Sequence, residues 1–338
     1  MKIEPPPNHR GAQVMRMQQI MTASAATTAI IWGVYFWPTS PVLAIVGSFF
    51  CFMGFAGVLA LEFLTLMRVN RSDPVPQATA RDLFNAWRAE VSTVAEIFCW
   101  RQPFRADEVE DRLHGDHLFG QRGVVFIHGL ICNRGFWTPW LKRLQKFGSQ
   151  QHQHAFAAIS LEPVFASIDD YVGEIDRAVS DVTNASGMAP ILVCHSMGGL
   201  AARAWLHSQK KTSSVHHVVT IGTPHKGTWL ARFAHGQNGR QMRQDSEWLQ
   251  QLNGSKWVVG VSPADDSNAI KIPIPFTCWY SNCDNIVFPA STATLQGADN
   301  RLVHGAGHLQ LAFRPEVMET TFALITNSPN LEVLRADV

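Results

Sequence analysis

Ile191-Leu192-Val193-Cys194-His195-Ser196-Met197-Gly198-Gly199-Leu200-Ala201-Ala202-Arg203 runs from a strand straight into a helix. Residues 191–194 are the short apolar run of a buried parallel strand, and 197–207 reads as helix. No loop fits between them, so Ser196 sits on a sharp turn that lifts its hydroxyl off the sheet. The same turn leaves the N–H of Met197 at a helix N-terminus, free to face a carbonyl oxygen. Small residues are needed two before and two after such a serine, where strand and helix pass in contact; Cys194 and Gly198 fill those places. The plainer reading of Ser-Met-Gly is an N-cap serine before a close-packing glycine. The rest of the chain decides between the two.

The 338 residues suffice for one large domain or two ordinary ones, and the formal net charge of +1 gives no sign of a nucleic-acid partner. Charged residues make up only 16%, a deficit that lies in the N-terminal region. The six cysteines (51, 99, 132, 194, 278 and 283) have neither metal-ligand spacing nor a paired framework, which is expected of free, mostly buried thiols. No metal or other cofactor is implied.

Between Ile20 and Met67 the only charge is Glu62, and Pro38 and Pro41 interrupt the apolar run. The two stretches, 20–37 and 42–67, read as a transmembrane helical hairpin. Trp32, Tyr35 and Trp37 cluster at the break, as in an interfacial belt. The small residues Ala23 to Ala26 precede the most apolar part, opposite to a cleaved signal peptide. Lys2, Arg10 and Arg16 on one flank and Arg68 and Arg71 on the other place both ends in the cytoplasm by the positive-inside rule. A pair of buried core helices is the alternative. The expected organisation is a tail over 1–19, the hairpin over 20–68, a linker with an amphipathic helix over 69–120, a catalytic domain over 121–328 and a tail over 329–338. The amphipathic helix, 81–100, carries Leu83, Trp87, Val91, Val94 and Phe98 at helical spacing, for packing on the domain or lying on the membrane.

From Gly123 onward strands and helices alternate: strands over 123–127, 155–161, 191–194, 215–221, 273–281 and 301–303, with helices over 136–147, 168–182, 197–207 and 309–326. Alternation argues for a parallel sheet with crossover helices and for functional groups at the strands' carboxyl ends. The first strand ends in His128-Gly129, where a sharp bend can turn the Leu130 N–H toward the serine. The segment 227–262 reads as either a cap over the active site or a helix on the sheet; its apolar positions are few, so a modest cap over an open pocket is expected, with short or medium acyl chains as acceptable as long ones.

Four segments in order, His128-Gly129, Cys194-His195-Ser196-Met197-Gly198, Ile221-Gly222-Thr223-Pro224-His225-Lys226-Gly227-Thr228, and Asp284 with Gly307-His308-Leu309, resemble the α/β-hydrolase fold in its bacterial lipase and esterase branch over residues 122–326. The resemblance implies a serine hydrolase acting on carboxylic esters through an acyl-enzyme: Ser196 as nucleophile, His308 as base, Asp284 to orient it, and the N–H groups of Leu130 and Met197 as oxyanion hole. His304 is the runner-up base, and Asp265 and Asp266 are alternative carboxylates. His128, Gly129, His195 and Gly198 support the motif loops, where His225 also packs. Many secreted relatives carry an aspartate two residues past the histidine as part of a calcium site; here it is Gln310, so calcium is not expected. With the hairpin, the implied protein is membrane-anchored, in the bacterial inner membrane with its catalytic domain cytoplasmic, and meets a small-molecule ester or lipid. An acyltransferase or thioesterase on the same fold, and a catalytically silent binding module at the membrane, remain alternatives.

Overall fold

The computed structural model describes residues 11–146, 153–209, 214–254, 258–259, 271–272 and 274–326. Lys2, Arg10, Asp265, Asp266 and the tail over 329–338 lie outside the described residues. Helices α1 (Ala12–Phe36) and α2 (Pro41–Val69) run antiparallel. Pro41 opens α2, whose N-cap Ser40 accepts the Leu43 N–H at 3.2 Å. Helix α1 begins at Ala12, eight residues before the apolar run, so much of the expected tail is helical instead. That extension is polar on the body side: the Gln13 N–H reaches Glu162, and the Gln18 side chain donates to the Ile131 carbonyl at 3.1 Å. Among the described residues one helix, Pro41–Ser72, is long and apolar enough to cross a membrane by length and composition. The threonines and Ser24 that dilute α1 leave it short of that mark.

Helix α3 (Ala80–Glu96) starts at a capping box in which Thr79 and Asp82 satisfy each other's backbone N–H groups. It continues through a π-helical turn, Ile97–Arg101, into the short α4 (Gln102–Phe104). The body then alternates: β1 (Val124–Ile127), α5 (Thr138–Lys146), β2 (Phe156–Ile159), α6 (Val172–Ser186), β3 (Ile191–His195), α7 (Met197–Ser208) and β4 (His217–Ile221). After α8 (Gln237–Gln241) and α9 (Glu247–Gly254) come a two-residue pair, β5 (Val258–Val259) and β6 (Lys271–Ile272), then β7 (Phe276–Ser281), β8 (Asp299–Val303), α10 (His308–Leu311) and α11 (Pro315–Thr326). The single closing helix expected over 309–326 is two, because Pro315 lacks the N–H that would continue α10 and instead starts α11.

The main sheet has the order β2-β1-β3-β4-β7-β8, parallel at every pairing. Its strands read as unbroken apolar runs because both faces are covered. Val125, Leu192 and Val218 point to one side, against Ile175 and Val179 of α6 and Leu200 and Trp205 of α7. Their neighbours Phe126, Val193 and Val219 point to the other, against Trp137 just before α5, Trp140 within it and Phe322 of α11. Burying one such side chain stabilises the fold by about 1.5–3 kcal/mol. A third cluster, Phe63 and Leu66 of α2 with Ala86 of α3, Cys283 and Phe288, fastens the base of the hairpin to the loop after β7.

Candidate active site

Strand β1 is flanked by β2 on one side and β3 on the other, so the chain reverses direction across the sheet between β1 and β3. A crevice opens at the carboxyl ends of strands at such a switch point. Ile127 and Cys194 pair across it, and Leu130 and Met197 each lie three residues further on. Ser196 has φ 54° and ψ −128°, a left-handed conformation that a non-glycine residue holds at about 1–3 kcal/mol of strain. Two bonds fix it: the Ser196 N–H donates to the Ile221 carbonyl and the Thr223 hydroxyl donates to the Ser196 carbonyl, both at 2.9 Å. A β-carbon on Gly198 would come 2.5 Å from the Ile127 carbonyl, which is why the position two after the serine has no side chain.

Asp284 follows β7 and His308 opens α10, and both are buried. His308 Nδ1 lies 2.9 Å from Asp284 Oδ1 and 3.0 Å from Oδ2. Asp284 Oδ1 also accepts the N–H groups of Ile286 and Val287, so the carboxylate is held before the imidazole arrives. Burial pulls the His308 pKa down, but the charge and hydrogen bond of Asp284, reinforced by Glu90 and Glu62, outweigh it and the net direction is up. Since Nδ1 donates to the carboxylate, Nε2 is the nitrogen with a free lone pair.

The other histidines are otherwise engaged. His128 Nε2 accepts the Leu161 N–H at 3.0 Å, so its proton is on Nδ1, bonded to the Gly129 carbonyl, and burial lowers its pKa to about 4. His195 reaches the His308 carbonyl through Nε2 and stacks on Phe136. His225 is buried beside Thr220. His304 is exposed, with Nδ1 beside Asn282 and not Asp284.

Two carboxylates that the sequence analysis did not assign to the site converge on it. Glu90 of α3 accepts the N–H groups of Leu309 at 2.8 Å and Gln310 at 3.0 Å, donors at the start of the helix that carries His308 with no partner inside that helix. Glu62 of α2 accepts from the Asn285 amide at 2.7 Å, and the Asn285 oxygen accepts the His308 N–H at 3.1 Å. Each left a trace in the sequence. Glu62 is the single charge of an apolar run, and Glu90 stands three residues after Trp87 and four before Val94, on the apolar face of its helix.

Ser196, His308, Gly129 and Leu130 line one cavity of about 600 Å³. Its remaining walls correct the expectation of a cap from 227–262. Among the described residues of that segment only Leu230 lines the cavity, whereas α1, α2 and α3 together roof it. No group of three or more His, Cys, Asp or Glu side chains placed to hold a metal occurs among the described residues.

The parallel sheet, the serine on its strand-to-helix turn and the late Asp and His loops give this chain the α/β-hydrolase fold, similar to that of lipases and esterases. A sequence model described as palmitoyl protein thioesterase matches residues 123–265. The lipase BlEst2 of Bacillus licheniformis in mature form superimposes with a TM-score of 0.51 at 17% identity, covering 64% of this chain and 96% of that one. Lipase B of Aspergillus fumigatus gives a TM-score of 0.50 at 16% identity, covering 64% of this chain and 55% of that one. No curated protein sequence matches the chain.

Proposed function

We propose that the protein is a membrane-anchored serine hydrolase of carboxylic esters. The observation that carries this is the buried pairing of His308 Nδ1 with Asp284 at 2.9 Å, in a cavity that Ser196 also lines. Ser196 Oγ attacks the acyl carbonyl carbon while His308 Nε2 takes its proton, and the N–H groups of Leu130 and Met197 receive the oxyanion. As the carbon–oxygen bond to the leaving alcohol breaks, His308 returns the proton to it. Water, deprotonated by the same nitrogen, then cleaves the acyl-enzyme and restores Ser196. Asp284 stays ionised throughout and holds the imidazolium.

Anchoring rests on the hairpin. Apart from Ala44, the buried residues of α2 begin at Leu59, so Pro41 to Val58 projects as about 27 Å of helix. That approaches the roughly 30 Å hydrocarbon core of a bilayer. With Arg16 and Arg68 at its open end, the hairpin inserts from the cytoplasmic side of the inner membrane.

Labelling the full-length protein with a fluorophosphonate, with and without Ser196→Ala, tests the chemistry. Labelling lost in the variant is expected; an unlabelled wild type would overturn the reading. A C-terminal alkaline phosphatase fusion tests the orientation, which active phosphatase would contradict. A thioester substrate is the second reading, favoured by the match to the palmitoyl protein thioesterase description, and release of free thiol from an acyl thioester would decide it.

A further inference from the structure

We propose that the hairpin is itself the acyl-binding wall of the active site, and that a long-chain fatty acyl ester enters sideways from the bilayer through a portal between α1 and α2. This rests on Ser196 as nucleophile and on a membrane-embedded hairpin.

Near the turn the two helices are tightly joined. Ser48 donates to the Ala29 carbonyl at 2.7 Å and the Trp32 indole to the Leu43 carbonyl at 3.0 Å, and a β-carbon on Gly47 would strike the Trp32 ring. Closer to the body they part around the cavity, with Met21 and Ala25 on one wall and Phe52 and Phe55 on the other. Met21 is 63% exposed and Phe52 48% exposed, yet both line the cavity. These two side chains therefore border the interior and the outer apolar surface at once, which marks an opening on the face that meets lipid. Around it Ile20, Phe49 and Phe50 are exposed and apolar, a surface that suits an ester dissolved in lipid.

The depth of the cavity sets the ligand. Its lining on α2 runs from Cys51 to Glu62, about 16 Å along the helix axis. An extended alkyl chain, with single bonds near 1.5 Å, advances about 1.25 Å per carbon, so about a dozen carbons fill that length. The reacting carbonyl then lies at Ser196 with its chain along α2. Long chains, not the short or medium ones that an open pocket would accept equally, fit this shape.

The test uses the full-length protein in phosphatidylcholine vesicles with p-nitrophenyl esters from acetate to palmitate. For the wild type kcat/KM is expected to rise about fourfold per added methylene over the first few carbons and to level off near twelve. With dodecanoate the rate should follow the mole fraction of ester in the vesicle and not its bulk concentration. Ala25→Trp and Thr22→Trp, which narrow the gap, should each lower the ratio of kcat/KM on dodecanoate to that on acetate at least tenfold. A flat chain-length profile in the wild type, a rate set by bulk concentration, or an unchanged ratio in both variants would each overturn the proposal. The wild-type measurements need no variant to fold. Fluorophosphonate labelling of Ser196 separates the two readings: a labelled enzyme with a flat profile sinks only the portal, and an unlabelled one sinks the hydrolase.

Discussion

Glu90 Oε1 accepts the backbone N–H of Leu309 at 2.8 Å, joining α3 to the helix that carries His308 across 219 residues of chain. Its other oxygen takes the Gln310 N–H, so one buried carboxylate closes the N-terminus of α10. Burial raises its pKa from 4.5 to about 7, against the opposing pull of those two N–H groups. An acid with a folded pKa above its unfolded one binds its proton more tightly when folded. Its stabilising effect is therefore full below about 4.5 and is lost as pH rises to about 7. The melting temperature is expected to fall over that window in the wild type and to show a shallower slope in Glu90→Gln. The amide accepts only one of the two N–H groups, so the variant should also lose about 2 kcal/mol at low pH. Calorimetry at pH 4, 5.5 and 7 reads both effects, and a slope unchanged in the variant would refute the assignment.

Asp284, with Glu90 and Glu62, raises the pKa of His308 beyond what burial subtracts, and the proposed mechanism needs His308 neutral at Nε2. The acid limb of kcat/KM against pH should therefore have a midpoint above the ordinary histidine value of 6.5. In Asp284→Asn the stabilising charge is gone, so the midpoint should move to lower pH. The rate at neutral pH should fall about 10³- to 10⁴-fold, because the imidazole loses both its orientation and its countercharge. A limb that stays in place would mean another group is titrating.

Both faces of the sheet could be read from residues, since Val124 to Ile127 and Ile191 to Cys194 are apolar without alternation, and only a strand covered on two sides can be so. Ser196, Asp284 and His308 each follow a strand, and because those strands are parallel all three lie at the carboxyl ends of the sheet. The roof was not legible for the same reason. Residues 20–67 carry a single charge, and hydrophobicity does not tell an outward-facing side chain such as Val34 from a cavity-facing one such as Phe55. Glu90 escaped because a carboxylate on the apolar stripe of a helix has meaning only when its partners, the Leu309 and Gln310 N–H groups, are known. Those lie beyond the reach of any local pattern.

Gly222, at φ +58°, follows β4 where Asp284 and His308 meet. A β-carbon there would come 3.0 Å from Asp284 Oδ2 and 3.1 Å from His308 Nδ1. Gly222→Ala meets both a left-handed backbone, at about 1–2 kcal/mol, and this contact. Lower thermal stability is expected, with a fall in kcat larger than any change in KM, because the contact displaces the pair and not the acyl chain. A variant as active as the wild type would show that the loop yields freely.

Glu62 makes the sharpest separation between anchoring and chemistry. It stands in the helix that is apolar enough to cross a membrane, yet its Oε2 accepts the Asn285 amide at 2.7 Å, and Asn285 in turn holds the His308 N–H. Were the residue only a blemish in an anchor, Glu62→Leu would improve the helix and leave turnover alone. As a positioning residue it has a different signature. The leucine variant should remain in the membrane fraction after alkaline carbonate extraction while kcat falls about tenfold, the loss of roughly one hydrogen bond to a charged group. Glu62→Gln keeps an oxygen for the Asn285 amide and should recover most of that rate. Equal activity of the leucine and glutamine variants would remove Glu62 from the site; a drop in the leucine variant alone ties α2 to the histidine.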